Sequence, residues 1–159
     1  MLFAFTAATF AQASATATAT AIIVGPIGIT NTANMNFGNV AVGAALGTVV
    51  LATDGSRTAT GGCTLPATTG SPAAATFNVT GAANYTYAIT LPSGPTTLDD
   101  GATHTMTVDD WVSDPTPTGN LGGGGSQTLR IGATLSVAAG QTAGTYTSAT
   151  PFTVTVNYN

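Results

Sequence analysis

The sequence predicts an all-β protein folded as an antiparallel β-sandwich. Apolar and polar residues alternate in about nine short runs, as expected of strands that bury one face. Clusters of Gly, Pro, Asn and Asp separate these runs at short intervals, which is typical of sandwich domains. No stretch shows a convincing helical period of apolar residues. Without a domain boundary or an internal repeat, we predict one sandwich domain over residues 16–159.

The longest alternating run lies near the N-terminus and ends at Gly25-Pro26. Ala alternates with Thr and then gives way to Ile and Val, which favour extended backbone. Such a run reaches about 33 Å as a strand and requires a sheet to pair with. The pattern leaves open whether that sheet belongs to the same molecule or to a neighbour. The run consists of Ala15, Thr16, Ala17, Thr18, Ala19, Thr20, Ala21, Ile22, Ile23 and Val24.

The later elements follow in chain order, after Ile27 and Ile29 resume the alternation. Asp54-Gly55 favours a type I′ hairpin turn, and Gly61-Gly62 indicates a bulge in the returning strand. Prolines and glycines predict loops over 92–101 and 114–126. The predicted strands are 36–43, 47–52, 57–65, 75–80, 85–91, 104–112, 128–137 and 152–158.

The apolar faces of these strands predict the core between the sheets. Cys63 is the single cysteine, and we interpret it as a small buried side chain rather than a reactive or intermolecular thiol. The predicted core residues are Phe37, Phe77, Val79, Tyr87, Ile89, Leu129, Ile131, Leu135, Phe152, Val154 and Val156.

The charge content excludes several classes of function. Charged residues make up 5% of the chain, against 43% hydrophobic residues, and the net charge is −4. With Arg57 and Arg130 as its only basic side chains apart from His104, the chain has no footprint for nucleic acid or for an anionic membrane surface. Weak net charge also permits copies of the protein to pack closely. We therefore expect no nucleic-acid partner and, since the apolar N-terminal run is short, no membrane span.

Residues 1–15 resemble part of a secretory leader. Apolar residues open the chain, and Ala11-Gln12-Ala13 and Ala13-Ser14-Ala15 both fit a small-x-small cleavage site. The basic start of a leader is missing, so we interpret the stretch as a truncated leader, the alternative being an apolar extension of the first strand. The leader predicts a secreted protein.

Catalytic chemistry has little support in this sequence. His104 is the only histidine, and a triad of Ser126, His104 and Asp109 has no supporting spacing or motif. We expect no enzyme and no cofactor. The weak candidates for a Ca²⁺ site are Asp99, Asp100, Asp109 and Asp110, although solvated turn carboxylates are the preferred interpretation. Trp111 suits either a sugar-binding platform or, as we prefer, a rim or core aromatic position.

Several stretches, taken in their order, resemble a family of secreted bacterial β proteins related to spore coat U proteins and archaic chaperone–usher pilins. The closing Gly144-Thr145-Tyr146 and Val154–Tyr158 are the most specific of them. The other matching stretches are Asn36-Phe37-Gly38, Phe77–Gly81, Tyr87–Pro92, Met106-Thr107-Val108 and Gly132–Leu135.

The resemblance implies an immunoglobulin-like sandwich of pilin type that lacks one strand. A neighbour's N-terminal extension, here residues 15–24, would fill the gap as a donor strand. It also implies a periplasmic chaperone and an outer-membrane usher as partners. We therefore expect the structural subunit of an extracellular filament, polymerising with copies of itself. The alternative is a monomeric secreted binding module, such as a carbohydrate-binding adhesin.

Overall fold

A computed structural model describes Met1, Phe3 and residues 10–159. Within these residues the regular structure is entirely β, with two antiparallel sheets and no helix, so no helix there is suited to crossing a membrane. The strands are β1 (Gly28–Ala33), β2 (Ala41–Leu51), β3 (Arg57–Thr64), β4 (Ala75–Thr80), β5 (Thr86–Thr90), β6 (Thr96–Asp99), β7 (Thr105–Asp114), β8 (Thr118–Asn120), β9 (Ser126–Val137) and β10 (Thr155–Tyr158).

The larger sheet is built around β9, the longest strand. Along one edge of β9, residues 126–131 pair with β4 and residues 133–137 pair with β2. The opposite edge pairs with β7. The sheet extends through β4 to β1, through β2 to β3, and through β7 to β6. A single twelve-residue strand thus connects two halves of this sheet.

The smaller sheet has the strand order β10-β5-β8 and covers one half of the larger sheet. The apolar cluster between them combines Val79 and Leu129 of the larger sheet with Tyr87 and Val156 of the smaller one. A second apolar cluster is formed by buried residues of β2, β3, β7 and the C-terminal half of β9, together with Phe37. Trp111 packs against both clusters. The molecule is therefore a β-sandwich, as the alternation of apolar residues predicts. Its core has two connected parts.

Eight of the eleven predicted core side chains are buried. Six of the eight belong to the cluster between the sheets, as predicted, whereas Phe37 and Leu135 belong to the second cluster. The remaining three, Phe77, Ile89 and Phe152, are half-buried and pack against the cluster between the sheets. Cys63 is also buried and belongs to the second cluster, as predicted. The eight buried positions are Phe37, Val79, Tyr87, Leu129, Ile131, Leu135, Val154 and Val156.

Three sequence predictions of local structure are wrong. The loops predicted over 92–101 and 114–126 each contain a short strand, β6 and β8, because a neighbouring strand satisfies their backbone groups. The separate strand predicted over 36–43 is an isolated bridge at Asn36 followed by the start of β2.

The turn after β2 also differs from the predicted type I′. Only Gly55 adopts a positive φ there (86°), whereas a type I′ turn requires positive φ at both central residues. The N–H of Gly55 donates to the carbonyl of Ala52, and the N–H of Ala52 donates to the carbonyl of Ser56. This is the three-residue hairpin loop in which glycine forms the bulge. The bulge predicted near Gly61-Gly62 is present, although the extra residues belong to the facing strand β2, between Val42 and Gly47.

Candidate functional site

Residues 15–24 lie outside both sheets. No residue from 10 to 27 belongs to a strand, and residues 10–26 are exposed. Ile22 and Ile23 are 86% and 95% exposed, which is unusual for adjacent β-branched apolar side chains. The donor-strand residues predicted from the sequence therefore form one continuous exposed segment, called the N-terminal segment below. The predicted leader, residues 1–15, lies largely outside the described residues.

A tyrosine fixes the point at which the N-terminal segment leaves the fold. The hydroxyl of Tyr158 donates a hydrogen bond to the carbonyl of Gly25 (3.1 Å) and accepts one from the N–H of Ala82 (2.6 Å). The ring of Tyr85 packs edge-on against Tyr158, with 5.6 Å between centroids. A Cβ at Gly81 would collide with the Tyr158 hydroxyl, so a larger residue there would displace this contact. The C-terminal end of the segment thus lies beside the C-terminal end of β10.

The sandwich has two open edges next to this point. In the described part of the chain, β10 pairs only with β5, and β1 pairs only with β4. The two strands contact each other at the side of the sandwich, where Ile27 and Ile29 pack into the same cluster as Val154 and Val156. An edge strand presents a row of unpaired N–H and C=O groups. The side of the sandwich formed by β1 and β10 therefore presents unpaired backbone groups in the described part of the chain.

The apolar side chains beneath these edges are mostly covered. Val154 and Val156 are only 8% and 7% exposed, and Phe152 and Tyr158 are half-buried, so the cluster beneath is nearly closed. An added strand would gain mainly main-chain hydrogen bonds, and its inward side chains would need to be small. Sequence reasoning identified the N-terminal segment but not this edge or the Tyr158 contact. The alternating Thr-Val-Thr-Val at the C-terminus predicts a strand with one buried face but does not indicate that the strand lies at an edge.

Asp99 and Asp100, the first pair of predicted cation ligands, accept hydrogen bonds within their own turn. The Asp99 carboxylate accepts from the N–H of Gly101, and the Asp100 carboxylate accepts from the N–H groups of Ala102 and His104. His104 Nδ1 lies 2.6 Å from the other Asp100 oxygen. This contact to His104, followed by the Ala102 N–H, holds the pKa of Asp100 below its ordinary value. The two carboxylates thus stabilise the turn between β6 and β7.

The proposed triad residues do not form a relay. The ring of His104 is engaged with Asp100 rather than with Asp109, and it is largely exposed. Burial raises the pKa of the Cys63 thiol, which disfavours the nucleophilic thiolate. The described residues contain no group of three or more His, Cys, Asp or Glu side chains arranged to hold a metal ion.

Asp109 and Asp110 lie at a bulge in β7 beside Trp111. Asp110 has a φ of +47°, and the pairing with β9 is irregular between Asp109 and Val112. The carboxylates, the Trp111 ring and the 91–95 loop line an open cleft of about 300 Å³. The indole N–H of Trp111 donates to the carbonyl of Gly94 across this cleft (3.2 Å). The structure thus brings together the second acidic pair and the tryptophan, and it separates them from Asp99 and Asp100.

Comparison with known proteins identifies a family for this fold. The model of a domain of unknown function, DUF4402, matches residues 27–158. The match covers the strands of both sheets and begins directly after the N-terminal segment. No curated protein and no solved structure matches the chain significantly. The chain belongs to the DUF4402 family.

Proposed function

We propose that this protein is the structural subunit of a secreted, extracellular filament, assembled when each copy donates its N-terminal segment to the next. The observation that carries the proposal is the exposure of residues 15–24, which have the alternation of a strand but no strand partner in the described chain. The open edges of β1 and β10 supply a matching acceptor. The likeness to coat U proteins and archaic pilins remains a prediction and supports the same mechanism.

The geometry at Gly25 favours pairing between molecules over pairing within one. Ile27 packs against the cluster between the sheets and Tyr158 holds Gly25, so a segment that folded back on the open edge of its own β1 would have to turn within Gly25-Pro26. A tight two-residue hairpin loop needs a positive φ at its first residue. Gly25 is not among the glycines with positive φ. A second copy meets no such constraint.

The side chains of donor and acceptor match in size. One face of the N-terminal segment carries alanines at 15, 17, 19 and 21, and the acceptor edge overlies a nearly closed core. Alanine adds little volume, so it suits a shallow groove. Pairing along the strand would then derive its strength mainly from backbone hydrogen bonds. Before assembly, the open edge requires protection from nonspecific pairing, which fits a chaperone and an usher as the assembly partners.

The test uses proline as a probe of backbone pairing. Proline lacks the N–H that a ladder requires, so Thr18→Pro should abolish assembly, measured by sedimentation and electron microscopy of purified protein. Thr18→Val keeps the N–H and favours extended backbone, and should assemble at least as well as the unmodified protein. Because Thr18 makes no packing contact within its own fold, both variants should unfold at the temperature of the unmodified monomer.

Two results would contradict the proposal. Normal filaments from Thr18→Pro, or from a deletion of residues 15–24, would show that the segment is not the connector. A lowered melting temperature of monomeric Thr18→Pro, from a parent that never sediments, would show that the segment pairs within its own molecule.

A further inference from the structure

The cleft beside Trp111 has a chemical character of its own, independent of the open edge. Its apolar walls include Trp111, Pro92 and Pro95, and the polar residues that line it are Ser93, Asp109 and Asp110. Ligand sites combine apolar walls with a few placed polar groups in this way. A cleft of about 260 Å³ next to Arg130, by contrast, has no aromatic residue in its lining.

The Trp111 ring is held in place from two sides. Its N–H is hydrogen-bonded to the carbonyl of Gly94, so the ring edge is satisfied without a ligand. Phe152 packs against the ring with 4.5 Å between centroids. The ring is half-buried overall, and part of it faces the cleft. A fixed, partly exposed aromatic surface can bind a ligand with little loss of side-chain entropy.

The two carboxylates at the cleft differ from the three aspartates that stabilise turns. Asp54, Asp99 and Asp100 each accept backbone N–H groups within their own turns. Asp109 and Asp110 accept no hydrogen bond from the described residues and form no ion pair with them. They therefore offer strong acceptors that neither the Ser93 hydroxyl nor the Trp111 N–H, the donors in the cleft lining, occupies in the described structure.

These features specify the class of ligand. The negative charge disfavours anions, and the cleft has only two carboxylates for a cation. Hydroxyl groups pair well with carboxylates, and a C–H surface packs on an indole ring. Sugars present both. We propose that the cleft binds a neutral saccharide, with Trp111 as the apolar wall and Asp109 and Asp110 as acceptors for its hydroxyl groups.

The protein provides its own reporter, because Trp111 is the single tryptophan of the chain. Its fluorescence should change on titration of the purified protein with at least one of maltose, cellobiose, lactose or chitobiose. Asp109→Ala should weaken that binding about tenfold or more, since a charge-assisted hydrogen bond is lost. Asp110→Asn should also weaken sugar binding. The substitution preserves the left-handed backbone at this position, because asparagine adopts that conformation readily.

Asp114→Ala is the matched control. Asp114 lies in the same strand, is exposed and does not line the cleft, so its replacement should change affinity by less than about twofold. The non-assembling Thr18→Pro variant should bind the sugar with unchanged affinity, which separates this inference from the proposed filament.

Three results would overturn the inference. One is an unchanged fluorescence with all four sugars up to about 10 mM, a limit that includes the weak end of specific binding. Another is equal weakening by Asp114→Ala. The third is a response to calcium chloride alone, reversed by a chelator and absent with sugars, which would assign the cleft to a cation instead.

Discussion

Two stretches of this chain share one pattern and have different structures. Residues 15–24 alternate Ala with Thr, and residues 152–158 alternate apolar residues with Thr and Asn. Within the C-terminal stretch Thr155–Tyr158 form β10, and Val154 and Val156 are buried in the same cluster as residues of β4 and β9. The N-terminal stretch is exposed and has no strand partner in the described chain. Alternation therefore defines which side chains share a face, but a partner must exist before that face is buried.

The side chains explain part of this difference. Valine and phenylalanine in the C-terminal stretch bury enough apolar surface to hold the strand on the core. Alanine in the N-terminal segment would bury much less, so the segment gains too little from packing to attach to its own fold. We infer that its pairing depends on backbone hydrogen bonds, which another copy of the chain can supply.

The largest expected effect tests the contrast between buried and exposed apolar residues. Leu129 is fully buried in β9, and Leu129→Ala should lower the free energy of unfolding by about 2–5 kcal/mol because it removes packed atoms and leaves a cavity. Ile23→Ala should leave the monomer within about 0.5 kcal/mol of the parent. Urea unfolding of monomeric protein measures both. A comparable loss at Ile23 would mean that the segment packs on its own sandwich.

A smaller effect concerns the polar contact inside the sandwich. The buried Tyr87 hydroxyl donates to Gln127 Oε1 (2.9 Å), which also accepts from the N–H of Asn120 (2.7 Å). Tyr87→Phe removes the hydrogen bond from the hydroxyl, but Gln127 Oε1 still accepts the one from the N–H of Asn120. We expect a loss of about 0.5–1.5 kcal/mol in urea unfolding. A loss as large as that of Leu129→Ala would show that this contact, rather than apolar packing, stabilises the small sheet.

The smallest effect is electrostatic and lies in the turn before β7. The Asp100 carboxyl should titrate in an NMR pH series with a pKa below its ordinary value of 3.8, mainly because of the contact with His104. Since the folded pKa is lowered, this contribution to stability is present above the unfolded pKa. It is lost as the pH falls through the folded pKa. His104→Ala should return the Asp100 pKa towards 3.8, and an unchanged pKa would assign the shift to the backbone N–H groups instead.

The predictability of this fold differs from element to element. The strands with strong apolar alternation, such as β4 and β9, could be identified because burial of one face leaves a period of two in the sequence. The short strands β6 and β8 could not, because proline and glycine lie around them and their pairing depends on neighbours distant in sequence. The bulge in β7 was likewise unpredicted, and it lies where Asp109, Asp110 and Trp111 line a cleft.

The sequence by itself determined the all-β class, the facing of the core residues and the exceptional N-terminal run, since each follows from local alternation and composition. Only the tertiary structure decided which strands are neighbours and which edges stay open. It also placed Tyr158 at Gly25 and assigned three of the aspartates to turns. Pairing between distant strands depends on the whole set of competing partners, and no local pattern encodes that competition.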